Sequence, residues 1–126
     1  MNVLIAIFLG GGFGAVMRHY SILAARGLFG DAFPYGTLFV NVLGSLVIGI
    51  IMETAVQKSN IPAPVQALLV TGFLGGFTTF SAFSFDVYKL ANTGQAVQAA
   101  AYVAASVFLS LLAVFAGAYL VKGLSA

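Results

Sequence analysis

The chain has 126 residues, of which 61% are hydrophobic and 6% charged, with a formal net charge of +2 and no cysteine. A soluble domain carries roughly 25% charged residues, so this composition excludes a water-exposed surface and points to an integral membrane protein forming one domain over residues 1–126. The missing cysteines exclude disulfides and thiolate metal sites, and the few scattered charges exclude nucleic acid as a partner.

About 20 apolar residues cross a bilayer's hydrocarbon core, and four segments fit, giving an all-α fold. The first runs from Asn2 to Ala25. It is expected not to be a cleaved signal, because its first basic residue, Arg18, follows the apolar run instead of preceding it. Arginine inside a span is costly. Arg18 either snorkels to the nearer surface or draws anions into a vestibule, and the neighbouring His19 reads as interfacial. The run Gly10-Gly11-Gly12-Phe13-Gly14 superficially resembles a nucleotide loop, but no strand precedes it and helix packing is the better reading.

The second span runs from Tyr35 to Val56, after a loop marked by Gly30, Asp31 and Pro34. Asn41 and Ser45 stand four apart within it. Asn41 either glues helices together or offers its N–H donors to an anion.

The third span runs from Pro62 to Leu90, opened by Pro62 and Pro64, which suit a helix start. Its middle, Thr71 to Ser84, concentrates glycine, hydroxyls and phenylalanine where a lipid-crossing helix needs none of them. Gly72 and Gly76 form a small-xxx-small pair that serves close packing or, with Gly75, Thr78 and Thr79, breaks the helix. A break is tolerated at membrane depth where it lines a cavity. The carbonyls and hydroxyls it frees are hard ligands, suited to a small cation such as sodium. Phe80 and Phe83 share a face one turn apart, with Ser81 and Ser84 between and beside them. They either pack in lipid or turn weakly positive ring edges to an anion.

The fourth span runs from Thr93 to Val121 and carries Tyr102, Ser106 and Ser110 at i, i+4 and i+8. These form one polar stripe, unless the serines bond back to their own helix. With four spans, the N-terminus, Lys58 and Lys122 lie on one side; Arg26 and Lys89, with Arg18, lie on the other. A balanced bias permits insertion both ways and an antiparallel homodimer, although loop details can also fix one orientation. The acidic residues Asp31, Glu53 and Asp86 all fall near span ends, so no mid-membrane proton relay or nucleophile–base pair is read, and the chain is not expected to be an enzyme.

On Gly14 to Arg18, Gly36 to Gly44, Thr71 to Phe83 and Ala101 to Ser106, the chain closely resembles the Fluc (CrcB) fluoride channels, over nearly its whole length. The resemblance implies a dual-topology antiparallel homodimer in the bacterial inner (plasma) membrane, with four helices per subunit, the third broken. Such a dimer passively exports cytoplasmic fluoride along two pathways. It also implies a structural sodium ion held by backbone oxygens of Gly75 and Thr78 from both subunits. Asn41, Phe80, Phe83, Ser81, Tyr102, Ser106 and Ser110 would line the fluoride pathway, and Arg18 would serve the vestibule. Ala82 departs from members that carry threonine there, and Asp86 falls where an acidic residue is usual. The competing readings are a small proton-coupled multidrug exporter, which calls for a membrane-embedded glutamate that the first span lacks, and a non-transporting assembly subunit.

Overall fold

The structure, a computed structural model, describes residues 2–126. It is all-helical. Helix α1 is Val3–Phe29, α2 is Tyr35–Lys58 and α6 is Ala96–Ser125; the third span is assembled from α3 (Ala63–Gln66), a π-helical segment (Ala67–Leu74), α4 (Gly75–Phe77) and α5 (Phe80–Asn92). Four stretches, Val3–Phe29, Tyr35–Lys58, Ala63–Asn92 and Ala96–Ser125, are long and apolar enough to cross a membrane. They overrun the apolar segments read from the sequence by up to four residues at an end. The extra turns carry Arg26, Lys58 and Lys122 in the last turn of their helices. Cations there suit the negative end of the helix dipole and the polar interface.

Local chemistry sets the ends. The Asn2 side chain accepts from Leu4 N at 2.7 Å and starts α1, and Gly30 ends it at φ +80°, a conformation that favours glycine. Pro62 and Pro64 flank the first residue of α3, where a missing N–H costs nothing. Thr78 (φ −87°, ψ 157°) and Thr79 (φ −155°, ψ 118°) are extended, whereas Gly75 is helical (φ −62°, ψ −36°).

Large apolar side chains face outward, Leu4, Phe8, Phe108 and Leu112 among them, as lipid-facing positions of a multi-pass membrane protein do. The interior is held by small residues. A Cβ placed on Gly14 would overlap the Phe73 carbonyl, and one on Gly76 the Gly11 carbonyl, so α1 and the third span meet backbone to backbone. Gly49 and Gly117 do the same between α2 and α6, against Val114 and Leu46. Among the described residues a conventional cluster also forms, Phe83, Leu90, Ala99 and Tyr102, joined by Phe33, Leu38 and Val87 at one end of the bundle.

Candidate functional site

The third span breaks its hydrogen-bond ladder across Gly75 to Ala82, and side chains take two of the freed donors. In a continuous α-helix, Thr79 N would bond to Gly75 O and Ala82 N to Thr78 O. Instead Thr79 N donates to Asn41 Oδ1 at 2.7 Å, and Ala82 N donates to Thr79 Oγ1 at 3.1 Å. The second bond is an N-cap that starts α5. Asn41 completes a two-point clasp by donating from Nδ2 to Thr79 O at 3.0 Å. Because Thr79 N is a donor, the Asn41 amide has one orientation here. One of its two N–H groups is committed to Thr79, which leaves a single one for a ligand. Thr78 Oγ1 donates back to Leu74 O at 2.8 Å, and Gly44 presses against the Thr78 side chain.

This junction opens on a cavity of ≈ 500 Å³ between α2, the third span and α6. The cavity gathers Gly75, Thr78, Asn41, Phe80, Phe83, Ser106 and Ser110, which are seven of the ten candidate site residues. The Phe80 and Phe83 rings lie 5.4 Å apart at an interplanar angle of 55°. Phe83 is buried, while Phe80 is 78% exposed on the open side of the cavity. Ser45 and Ser84 donate back to the carbonyls of Asn41 and Phe80, as membrane serines commonly do. Ser106 does not. Its hydroxyl is buried and has no hydrogen-bond partner.

Three candidates lie elsewhere. Ser81 is exposed, its hydroxyl 3.3 Å from Thr79 Oγ1 and off the cavity wall. Tyr102 is fully buried, and its hydroxyl donates to Asp86 Oδ2 at 3.1 Å. Arg18 is half-buried on α1, away from the cavity lining and with no ion pair among the described residues. Sequence reasoning missed Thr79 as the organiser of the junction. The threonine ahead of Phe80 was a readable N-cap signal, but its clasp with Asn41 joins residues 38 positions apart, and no local pattern announces that.

Residues 5–118 match the family model described as "CrcB-like protein, Camphor Resistance (CrcB)". Among curated relatives, the chain is 49% identical over 118 residues to "Fluoride-specific ion channel FluC" of Rhizobium etli, covering 94% of both chains. It is 47% identical over 124 residues to the protein of that name from Chelativorans sp., covering 98% of this chain and 99% of the relative. A third of that name, from Cereibacter sphaeroides, is 48% identical over 123 residues, covering 98% of this chain and 97% of the relative.

Proposed function

The chain belongs to the CrcB-like family, and on that premise we propose that it is a fluoride-selective channel that exports cytoplasmic fluoride passively down its electrochemical gradient. The observation that carries this reading is the buried, unpartnered Ser106 hydroxyl on the wall of a cavity rimmed by Phe80, Phe83 and Asn41. A buried donor without a partner is costly, and an anion passing through the cavity supplies the acceptor. Fluoride is small and strongly hydrated, so a pathway must replace its water with short donors. The hydroxyls of Ser106 and Ser110 and the remaining Asn41 N–H offer them, and the phenylalanine edges add weak positive potential without holding the ion tightly.

The functional unit of this proposal is an antiparallel homodimer in the bacterial inner membrane. The open side of the cavity, where Phe80 and Gly75 are exposed, faces the second copy. A sodium ion at the interface fits the residues present. The carbonyls of Gly75 and Thr78 have lost their helical donors to Asn41 and Thr79, and hard carbonyl oxygens suit that cation. When bound, the ion supplies positive potential beside the anion route and a link between subunits. Asn41 and Thr79 hold the two carbonyls away from the helical ladder whether or not the ion is there.

Purified protein in liposomes loaded with fluoride is expected to release it, with chloride retained. Phe80→Ile is expected to abolish that release without loss of a monodisperse dimer. Equal chloride release, or no fluoride release, would sink the proposal. Fluoride release that depends on a proton gradient would favour the proton-coupled exporter instead.

A further inference from the structure

A second cavity, of ≈ 470 Å³, opens at the end of the bundle between the α1–α2 loop and the α5–α6 turn. Its size falls within the ~300–1,000 Å³ usual for ligand pockets. It shares no lining residue with the Phe83–Ser106 cavity. Four charged side chains line it: Arg26 from the last turn of α1, Asp31 from the loop, and Asp86 and Lys89 from α5. The wall therefore carries two cations and two carboxylates, with no net charge. These charges are loosely held. Arg26 Nε stands 3.1 Å from Asp31 Oδ1, with side chains 56% and 81% exposed, and Lys89 Nζ stands 3.4 Å from Asp86 Oδ1, with the lysine 52% exposed. Exposed pairs of this kind contribute little to stability. The first pair uses one atom of each partner, so the terminal N–H groups of Arg26 and the second oxygen of Asp31 are left for a ligand.

The cavity lies at the level of the membrane interface. Arg26 and Lys89 stand in the last turns of their helices. Tyr35, on the wall, has its ring 5.5 Å from that of Phe29 and 4.8 Å from that of Phe33, and tyrosine is enriched at headgroup level. Phe39 follows Tyr35 by four residues on the same face of α2, one turn deeper into the span and 53% exposed. The wall of the cavity thus continues into a lipid-facing apolar surface.

We propose that this cavity holds the headgroup of a zwitterionic phospholipid with a primary ammonium, that is, a phosphatidylethanolamine. Arg26 and Lys89 take the phosphate, the guanidinium through its planar fork. Asp31 accepts from the ammonium, Asp86 stays the partner of Lys89, and the acyl chains run over Phe39. The arrangement discriminates by headgroup. Phosphatidylcholine brings the same charges but no N–H to donate to Asp31. Phosphatidylglycerol brings the phosphate but no cation. The proposal rests on the membrane placement of the four spans and goes beyond the channel reading above.

The test is the apparent dissociation constant of short-chain phospholipids with identical acyl chains, read by native mass spectrometry on the full chain in detergent. Phosphatidylethanolamine should bind about tenfold tighter than phosphatidylcholine or phosphatidylglycerol, as one charge-assisted hydrogen bond provides. Arg26→Gln should weaken all three by about tenfold, since each carries the phosphate. Asp31→Asn should weaken phosphatidylethanolamine alone. It also leaves the cavity one charge positive, so phosphatidylglycerol should become the preferred lipid of the three. Both variants should keep the size-exclusion profile of the unmodified protein, because the pair they break is exposed. A merely structural Arg26–Asp31 pair would give equal losses for every lipid in both variants, and that result overturns the proposal. Equal binding of the three lipids by the unmodified protein overturns it too. O-phosphoethanolamine, which lacks acyl chains, should bind at least about tenfold more weakly than the lipid. Binding as tight as the lipid's would make the cavity a site for soluble phosphoesters and overturn the lipid assignment. The readout is binding, so a failure of fluoride release would sink the channel reading and leave this result standing.

Discussion

Two serines on this scaffold show how the same residue type takes opposite roles. Ser45 sits on α2 with its hydroxyl given to Asn41 O at 2.7 Å, and it needs no further partner. Ser106, on α6, has a buried hydroxyl that no protein group satisfies. Removing an unmade hydrogen bond costs a folded protein little, whereas a bond to a charged ligand contributes about 1.5–3 kcal/mol. Ser106→Ala is therefore expected to leave thermal unfolding in detergent within about 1 kcal/mol of the parent while slowing fluoride release by about tenfold, or ~1.4 kcal/mol on the barrier. Equal losses of stability and flux would make Ser106 a packing residue. The i, i+4, i+8 spacing of Tyr102, Ser106 and Ser110 brought these residues out of the sequence. Which of them kept a free hydroxyl was not legible there, because it depends on distant partners: Asp86 claims Tyr102, and nothing claims Ser106.

At the level of elements, glycine has two separable jobs in this fold. Along α1, Gly14 faces the third span so closely that an added Cβ would fall 2.9 Å from the Phe73 carbonyl carbon, whereas a Cβ on Gly12 would meet nothing within 4 Å. Neighbouring glycines of one run thus have opposite tolerances. Gly14→Ala must push two backbones apart, and overpacking of that kind costs about 1–3 kcal/mol. Gly12→Ala gains helix propensity, up to about 1 kcal/mol. Monodisperse yield and unfolding temperature should fall for the first and hold or rise for the second; matching effects would mean that the two helices do not meet as described. The reading of this run as packing glycines was available from the sequence, since no strand precedes it. The π-helical stretch Ala67–Leu74 was not, because π geometry leaves no period in so uniformly apolar a segment. The extended residues also lie later than the glycines suggest. Gly75 stays helical, and Thr78 and Thr79 leave the helix, drawn out by the Asn41 clasp and the Thr79 cap.

The whole molecule carries its basic residues at both ends. Arg26 and Lys89 stand where α1 and α5 end, and Lys58 and Lys122 stand where α2 and α6 end. Three of the four are drawn toward acids, Arg26 to Asp31 at 3.1 Å, Lys89 to Asp86 at 3.4 Å and Lys122 to Glu53 at 3.9 Å. Orientation in a membrane follows the excess of lysine and arginine on one side, and two against two gives no excess apart from Arg18. A chain so balanced carries no charge bias that fixes one orientation, and in the antiparallel dimer proposed above an inverted copy would complete the exposed Phe80 and Gly75 face. Gln57→Lys with Asn60→Lys biases one end, and Ala91→Lys with Asn92→Lys biases the other. Each pair expressed alone should insert in one orientation, yield little dimer and pass little fluoride. Expressed together, the two should restore a heterodimer and its flux, and replacing sodium by a bulky organic cation should weaken that dimer. Full flux from either biased chain alone would show that the working unit does not need an inverted partner, and it would move the completing surface for Phe80 to lipid or to a parallel copy.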